Sequence, residues 1–368
     1  MMRPIIITAL YPPAVGGAAT YFGDIAPELA QRDDIEGLMV LTEHMPGQPR
    51  WWAKGKLQLL RYLPTRVSRP RRRWLGHAVT YLLTQIWFAA HLPGLVQHHR
   101  VGLIHFHTRY RGRLFYVALR RSGVPVLADL RDKMTDPARL IGVADWLLCC
   151  GEGVQRFAIE GGFSAERTVL IPIPFTPPEI PSPEMVSEVR RRYGLGDGSY
   201  LLFVGDITCN KGVYDLLEAY RRWRLGHPQV RLVFAGPDRE GERFLSQARQ
   251  TAGVIYLGRV PHRDALALMR GAKIVALPSR SEGLPRVILE AVALGTRVVC
   301  PPGIPEFERH LSHFVLPGVS AEAIIETLDR VWSLKSPPSY PLSEHSVGRV
   351  VKRLAEVYCN CQELALPR

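Results

Sequence analysis

The chain of 368 residues is long enough for two domains with separate cores, and 46% hydrophobic with 22% charged residues excludes a disordered polypeptide. The formal net charge of +13 arises in one region: residues 44–128 hold no Asp or Glu and 15 of the 47 Lys and Arg, leaving 32 cations against all 34 acids elsewhere. Six cysteines without zinc-ligand spacing argue against a metal or disulfide framework and read as core thiols.

The first thirteen residues carry an apolar run too short for a secretory leader and read as a buried strand at 5–10. Gly16 and Gly17 then precede a helical pattern; a glycine pair there lets a ligand approach the backbone and leaves amides free for phosphate. A second strand is expected at 38–42. From Arg50 to Arg73 nine cations, Arg71, Arg72 and Arg73 among them, are interleaved with Trp51, Trp52 and Tyr62. This mixture suits an anionic membrane surface, where each cation contributes about 1 kcal/mol. Nucleic acid competes for the same pattern but is not the expected partner, and a solvated loop is the third reading. Residues 75–97 form the longest apolar stretch. His77, Thr80, Thr84, Gln85, His91 and Pro93 interrupt it, which predicts a buried helix rather than a membrane span.

Further strands are expected at 103–107, 125–129, 146–150 and 169–171. The first of these ends in LIHFHTRYRGR, with His105 and His107 on one face. Asp129, Arg131 and Asp132 end the next, at the side of an open sheet where ligands bind, so Arg131 and Asp132 are candidates to touch acceptor or donor. Six prolines in residues 171–184 read as a linker. Strands then recur at 201–205, 231–236, 254–257, 274–277, 297–300 and 314–316. The alternation with amphipathic helices predicts an α/β protein of two similar units with parallel sheets. A last helix, 346–364, carries Val347, Val350, Val351, Leu354 and Tyr358 on one stripe.

The most informative stretch is PSRSEGLPRVILEAVALGTRVV, residues 278–299, in which Glu282 and Glu290 stand eight positions apart around a loop-to-helix junction. Apolar residues recur at helical spacing over 285–294 and Gly295 closes the helix. The unpaired amides and positive dipole of its N-terminus suit a phosphate. Glu290 lies up to two turns on, about 12 Å at 1.5 Å per residue. One carboxylate can thus hold a sugar while the other holds a ribose.

This segment resembles the Glu-x7-Glu motif of family 4 retaining glycosyltransferases, and further matches span nearly the whole chain. The resemblance implies the GT-B architecture, two facing Rossmann-like domains. Residues 1–175 would form the acceptor-binding domain and 184–340 the nucleotide-sugar domain, with helix 344–364 returning to the first. It places Glu282 on the donor hexose, the amides of Gly283 and Leu284 on the diphosphate, and Glu290 on the ribose. It makes Gly16 and Gly17 the glycine-rich loop over diphosphate and acceptor, and turns His107 toward the donor sugar. In LLFVGDITCNKGVYDLLEAY, Lys211 matches the family's phosphate-neutralising Lys and Gly212 opens the helix, so Glu282, His107 and Lys211 are the catalytic candidates. The family's Arg, however, is replaced by Asp206. Either Asp206 turns away and Arg280 or Arg286 substitutes, or donor binding is altered. Glu306 falls in the family's loop after the following strand.

The expected function is therefore retaining transfer of a sugar from a UDP- or GDP-linked nucleotide-sugar donor to a hydroxyl acceptor, lipid-linked or a growing polysaccharide. No cofactor is expected, and the absence of an Asp-x-Asp sequence favours a metal-independent reaction. The expected location is cytoplasmic, peripheral at the inner face of the membrane. The alternatives are an inactive nucleotide-sugar-binding protein, for which Asp206 is the hint, and a GT-B sugar-nucleotide epimerase.

Overall fold

The computed structural model describes residues 2–14, 16–62 and 73–363, the side chains of 73–78 and 363 excepted. The chain divides into two compact units, Met1–Pro174 with Glu344–Arg368, and Phe175–Ser343.

The first unit is built on β1 (Pro4–Thr8), β2 (Leu38–Glu43), β3 (Trp51–Lys54), β4 (Leu57–Tyr62), β5 (Leu103–His107), β6 (Val126–Leu130), β7 (Trp146–Cys149) and β8 (Thr168–Leu170). They form one sheet in the order β3-β4-β2-β1-β5-β6-β7-β8, parallel except for the β3–β4 pair. Ile6 pairs with Val40 on one side and His105 on the other. Every residue of β1 and β6 is buried, as continuous apolar runs require when helices cover both faces. One face packs Ile5, Ile7, Leu41 and Phe106 against Phe88 and Leu92 of α2 (Arg73–His98) and Phe115 of α3 (Arg113–Arg121), with α4 (Glu152–Glu160) beyond. The other packs Ile6 and Val40 against Phe22, Ile25 and Leu29 of α1 (Gly17–Gln31) and against Leu354 and Tyr358 of the final helix.

One reading for this unit falls and one expectation is corrected. Over residues 51–62 the cationic stretch is a strand pair, so the solvated-loop reading does not hold there. Its buried residues Leu57, Leu59 and Arg61 alternate with the half-buried Gln58 and Leu60, a period of two hidden by the interspersed cations. Arg71 and Arg72 lie outside the described residues, and Arg73 opens α2. That helix, expected to be buried, is half outside: Val79, Tyr81, Leu82, Leu83 and Ile86 are 47–54% exposed, while Thr84 and Gln85 are buried. Its segment Val79–His98 is long and apolar enough to cross a membrane, with 28% of it buried.

The second unit orders β9 (Tyr200–Val204), β10 (Arg231–Ala235), β11 (Val254–Tyr256), β12 (Ile274–Ala276) and β13 (Arg297–Val299) as β11-β10-β9-β12-β13, all parallel. Around it lie α5 (Pro183–Arg192), α6 (Val213–Trp223), α7 (Glu242–Gln250), α8 (His262–Gly271), α9 (Arg286–Ala293), α10 (Pro305–His310) and α11 (Ala321–Ser333). The strand expected at 314–316 is instead a 3-10 turn, Ser312–Phe314, followed by a single parallel bridge from Cys300 to Val315. The final helix is α12 (Val347–Glu363). Among the parallel strands of each unit the order reverses once, between β1 and β5 and between β9 and β12. The crevice at the carboxyl ends beside such a reversal is where α/β sheets bind ligands.

Candidate functional site

In the second unit the loops leaving β9 and β12 meet at that reversal. Gly212 holds φ +71° ahead of α6, and a Cβ there would stand 1.9 Å from the Pro278 carbonyl oxygen, so only glycine permits the approach. The loops are joined further: the Arg280 amide donates to Asn210 O at 2.9 Å and the Ser279 hydroxyl to the same oxygen at 3.2 Å. This brings Lys211 Nζ onto Glu282 Oε1 as an ion pair, with the carboxylate side chain 12% exposed.

Gly283 and Leu284 turn the chain into α9, whose first residue is Arg286. Among the described residues no hydrogen-bond acceptor takes their amides. Glu290, in the second turn of α9, is buried and meets His262 Nε2 at 3.0 Å from its Oε1, with Arg286 Nε 3.8 Å away. The hydrogen bond to Glu290 raises the His262 pKa against the opposing effect of burial. His262, at the start of α8, escaped the sequence reading; a His opening an amphipathic helix is a weak signal.

Asp206 points to Arg239, whose Nε donates to its Oδ2 at 3.0 Å. The two candidate substitutes are otherwise engaged. Arg280 pairs with Asp215 at 2.7 Å and donates to Cys209 O at 3.0 Å, and Arg286 lies over the Phe175 ring at 5.7 Å besides its place near Glu290. Glu306 sits in the first turn of α10.

In the first unit Gly16, at φ +145°, precedes Gly17, the first residue of α1. Behind them lies a buried polar cluster. Asp129 Oδ2 accepts Arg131 Nη2 at 2.8 Å, its Oδ1 is an ion-pair partner 2.5 Å from Arg131 Nε, and His105 Nε2 lies 3.1 Å from Oδ2. Tyr358 of α12 reaches His105 Nδ1 at 2.7 Å, so the imidazole donates through Nε2 and accepts from the tyrosine. The Arg131 guanidinium covers the Tyr21 ring at 3.5 Å. Burial opposes ionisation of Asp129, but Arg131 and His105 outweigh it and hold the carboxyl down to about 2. His107 stands beside this cluster, edge-on to Phe22 at 6.0 Å. Burial pushes its pKa down to about 4, and its Nδ1 has no partner among the described residues. It is thus a neutral imidazole with a free nitrogen. Asp132 is not part of the cluster; it accepts the Met134 amide at 2.9 Å. Trp51 and Trp52 are exposed on β3. Among the described residues no three His, Cys, Asp or Glu side chains gather as a metal-binding group.

Two doubly wound sheets in one chain, with loops at both reversals carrying glycines, cations and carboxylates, define the GT-B fold. It is shared with a structure of Anabaena HepE in complex with UDP and glucose, 18% identical, covering 98% of this chain and 100% of that one at a TM-score of 0.67. A glycosyltransferase from Rickettsia africae is 14% identical and covers 99% and 100% at a TM-score of 0.72. Residues 186–341 match the family model of glycosyl transferases group 1.

Among curated relatives, a Bacillus subtilis protein named for teichuronic acid biosynthesis is 31% identical over 150 residues, 40% of this chain and 36% of the relative. The glycogen synthase of Mycobacterium tuberculosis is 36% identical over 102 residues, 27% of this chain and 25% of that protein. The chain thus matches about a third or less of the length of these two. A GDP-mannose-dependent alpha-(1-6)-phosphatidylinositol monomannoside mannosyltransferase of Mycolicibacterium smegmatis is 26% identical over 82% of this chain and 81% of that protein.

Proposed function

We propose that this chain is a retaining glycosyltransferase that moves a sugar from a UDP- or GDP-linked donor to a hydroxyl acceptor. The observation that carries the reading is the pairing of Lys211 with Glu282 beside the Glu290–His262 pair, at the reversal of the second sheet. Lys211 and the amides of Gly283 and Leu284 meet the charge that develops on the departing diphosphate, which makes a metal ion unnecessary. Glu282 orients the hexose and Glu290 the ribose. The bond from the anomeric carbon to the phosphate oxygen breaks. The acceptor oxygen forms its bond on the same face, its proton passes to the leaving phosphate oxygen, and the nucleoside diphosphate departs. His107, neutral and with Nδ1 open, accepts or donates one hydrogen bond to the sugar.

The acceptor in this reading is lipid-linked and is met at the cytoplasmic face of a membrane. Support comes from α2, whose stretch 79–86 exposes Val79, Tyr81, Leu82, Leu83 and Ile86 while burying Thr84 and Gln85, and from α3, which adds the exposed Leu114 and Val117. Arg113, Arg120 and Arg121 belong to α3 too, and no acid occurs from 44 to 128. A mannosyltransferase acting on a phosphatidylinositol mannoside is among the relatives.

The test is calorimetry with UDP, GDP and ADP on the parent and on Glu290→Ala, followed by the anomeric configuration of any product read by NMR. Tight binding of one nucleotide, weakened about tenfold or more by the substitution, supports the donor site. Binding of none overturns it, and binding without transfer to any acceptor leaves a nucleotide-sugar-binding protein or an epimerase.

A further inference from the structure

The β3–β4 strand pair, which the donor reading does not use, closes a cavity of about 660 Å³ against α1, within the first unit alone. That volume lies in the range of about 300–1,000 Å³ typical of ligand sites. The cross-strand pairs Trp52 with Leu59 and Lys54 with Leu57 put these four side chains on one face, and Arg61 follows on the same face by the two-residue alternation. Pro27 and Ala30 of α1 form the opposite wall. The lining is mostly apolar, and its charged members are all cations: Lys54, Lys56 and Arg61.

Arg61 carries the argument. It is 5% exposed, and its guanidinium donates only to two backbone carbonyls, Pro49 O at 3.0 Å and Pro12 O at 3.3 Å. No carboxylate pairs with it among the described residues, whereas buried charges are ordinarily paired. A buried guanidinium at one end of an apolar cleft, with no carboxylate against it, is complementary to an anion attached to hydrocarbon. Lys54, opposite Leu57, and Lys56 stand at the hairpin turn, about 13 Å along the strand from Arg61, and Lys56 Nζ donates to Arg32 O at 2.8 Å.

We propose that the cleft between α1 and the β3–β4 pair binds a phosphorylated amphiphile, its phosphate at Arg61 and its chain along Leu59, Trp52, Leu57 and Ala30 toward the hairpin turn. The shared chemistry is a phosphate on an alkyl or prenyl chain, whether presented from a bilayer or free in solution. The site stands without the donor reading, because no residue of the second unit contributes to it.

The test is calorimetry on the full chain with monomeric dodecyl phosphate, against inorganic phosphate and dodecyl maltoside. Dodecyl phosphate is expected to bind about tenfold or more tightly than either control, and Arg61→Met to weaken it about tenfold, the loss of one charge-assisted contact. Since Arg61 is buried, Trp52→Ser on the exposed strand serves as a second variant, expected to weaken dodecyl phosphate about tenfold by removing a wall of the chain path while melting like the parent. Leu82→Ser/Ile86→Ser on α2 is expected to leave binding of the monomer unchanged. Parent-like affinity in the Arg61 or Trp52 variant, equal binding of dodecyl maltoside, or loss of binding in the α2 variant overturns the proposal. So does a preference for a single-stranded oligonucleotide over dodecyl phosphate. Anionic vesicles containing dodecyl phosphate then separate presentation from a bilayer, where competition by vesicles is expected, from capture of the free molecule.

Discussion

Asp206 is neutralised by Arg239, with the guanidinium Nε 3.0 Å from the carboxylate and both side chains about half exposed. Resemblance to family 4 enzymes puts a phosphate-binding Arg at position 206, so this pair sets the cation one side chain away from its usual place. Removing the acid releases Arg239 to meet an anion. Asp206→Ala is therefore expected to bind its nucleoside diphosphate at least as tightly as the parent, and the double variant Asp206→Ala/Arg239→Ala to lose that gain. Calorimetry on the parent and these two variants reads this directly. Thermal melting should hardly change, since an exposed ion pair contributes about 0–1 kcal/mol.

The pair between His262 and Glu290 makes stability depend on pH. Its hydrogen bond raises the His262 pKa above the unfolded value, so the added stability is fully present below the unfolded pKa and is lost as pH rises through the folded one. Melting curves of the parent across the weakly acid to weakly alkaline range are expected to show this increment on the acid side. His262→Gln should remove it, and an unchanged profile in that variant would refute the assignment.

Asp129 acts in the opposite direction. Its folded pKa of about 2 lies below the usual value near 3.9, so its contribution is present above the unfolded pKa and lost as pH falls toward the folded one. Asp129→Asn is expected to cost about 3–5 kcal/mol at neutral pH, by leaving Arg131 buried and uncompensated, and to flatten the acid limb of the stability curve. Tyr358→Phe removes one hydrogen bond to His105 and should cost about 1 kcal/mol. Denaturant titration of the three chains checks both figures.

Polar and apolar substitutions on α2 are expected to have inverted effects. Gln85 accepts the Phe115 amide at 3.0 Å and donates to Arg111 O, so Gln85→Leu should destabilise by about 1–3 kcal/mol although it adds hydrocarbon. Leu82→Ser/Ile86→Ser should leave stability near that of the parent, because both residues are about half exposed. The same variant should lose sedimentation with anionic vesicles at low salt; full sedimentation would remove the membrane face from α2.

Much of this was legible because buried parallel strands are largely apolar runs: β1, β5, β9 and β12 could be placed, and with them His107 at the end of β5 and the loops that carry Gly16, Lys211 and Glu282. The contact between Lys211 and Glu282 could not be read from the residues alone. The two are 71 positions apart and are joined by the fit of Gly212 against the Pro278 backbone, which leaves no periodic trace. Nor could the exposure of α2, since its apolar residues surround the helix and periodicity then names no inner face. Arg61 looked like one more surface cation because burial of a lone charge has no local pattern. The Tyr358–His105 bond spans 253 positions, beyond any local signal.

The place of α12 has a consequence for biosynthesis. Leu354 and Tyr358 complete a core whose other members include Ile6, Phe22 and Leu29, so the first unit needs residues made some 320 positions after its own opening helix ends. Phe175–Ser343, by contrast, is one contiguous stretch. On the ribosome the second unit can fold as it emerges, while the first waits, one face of its sheet covered by α1 but not yet by α12, until that helix leaves the exit tunnel. A truncation before Val347 would thus strike the amino-terminal half of the protein, at Asp129, His105 and the loop of Gly16, and spare the half nearer the cut.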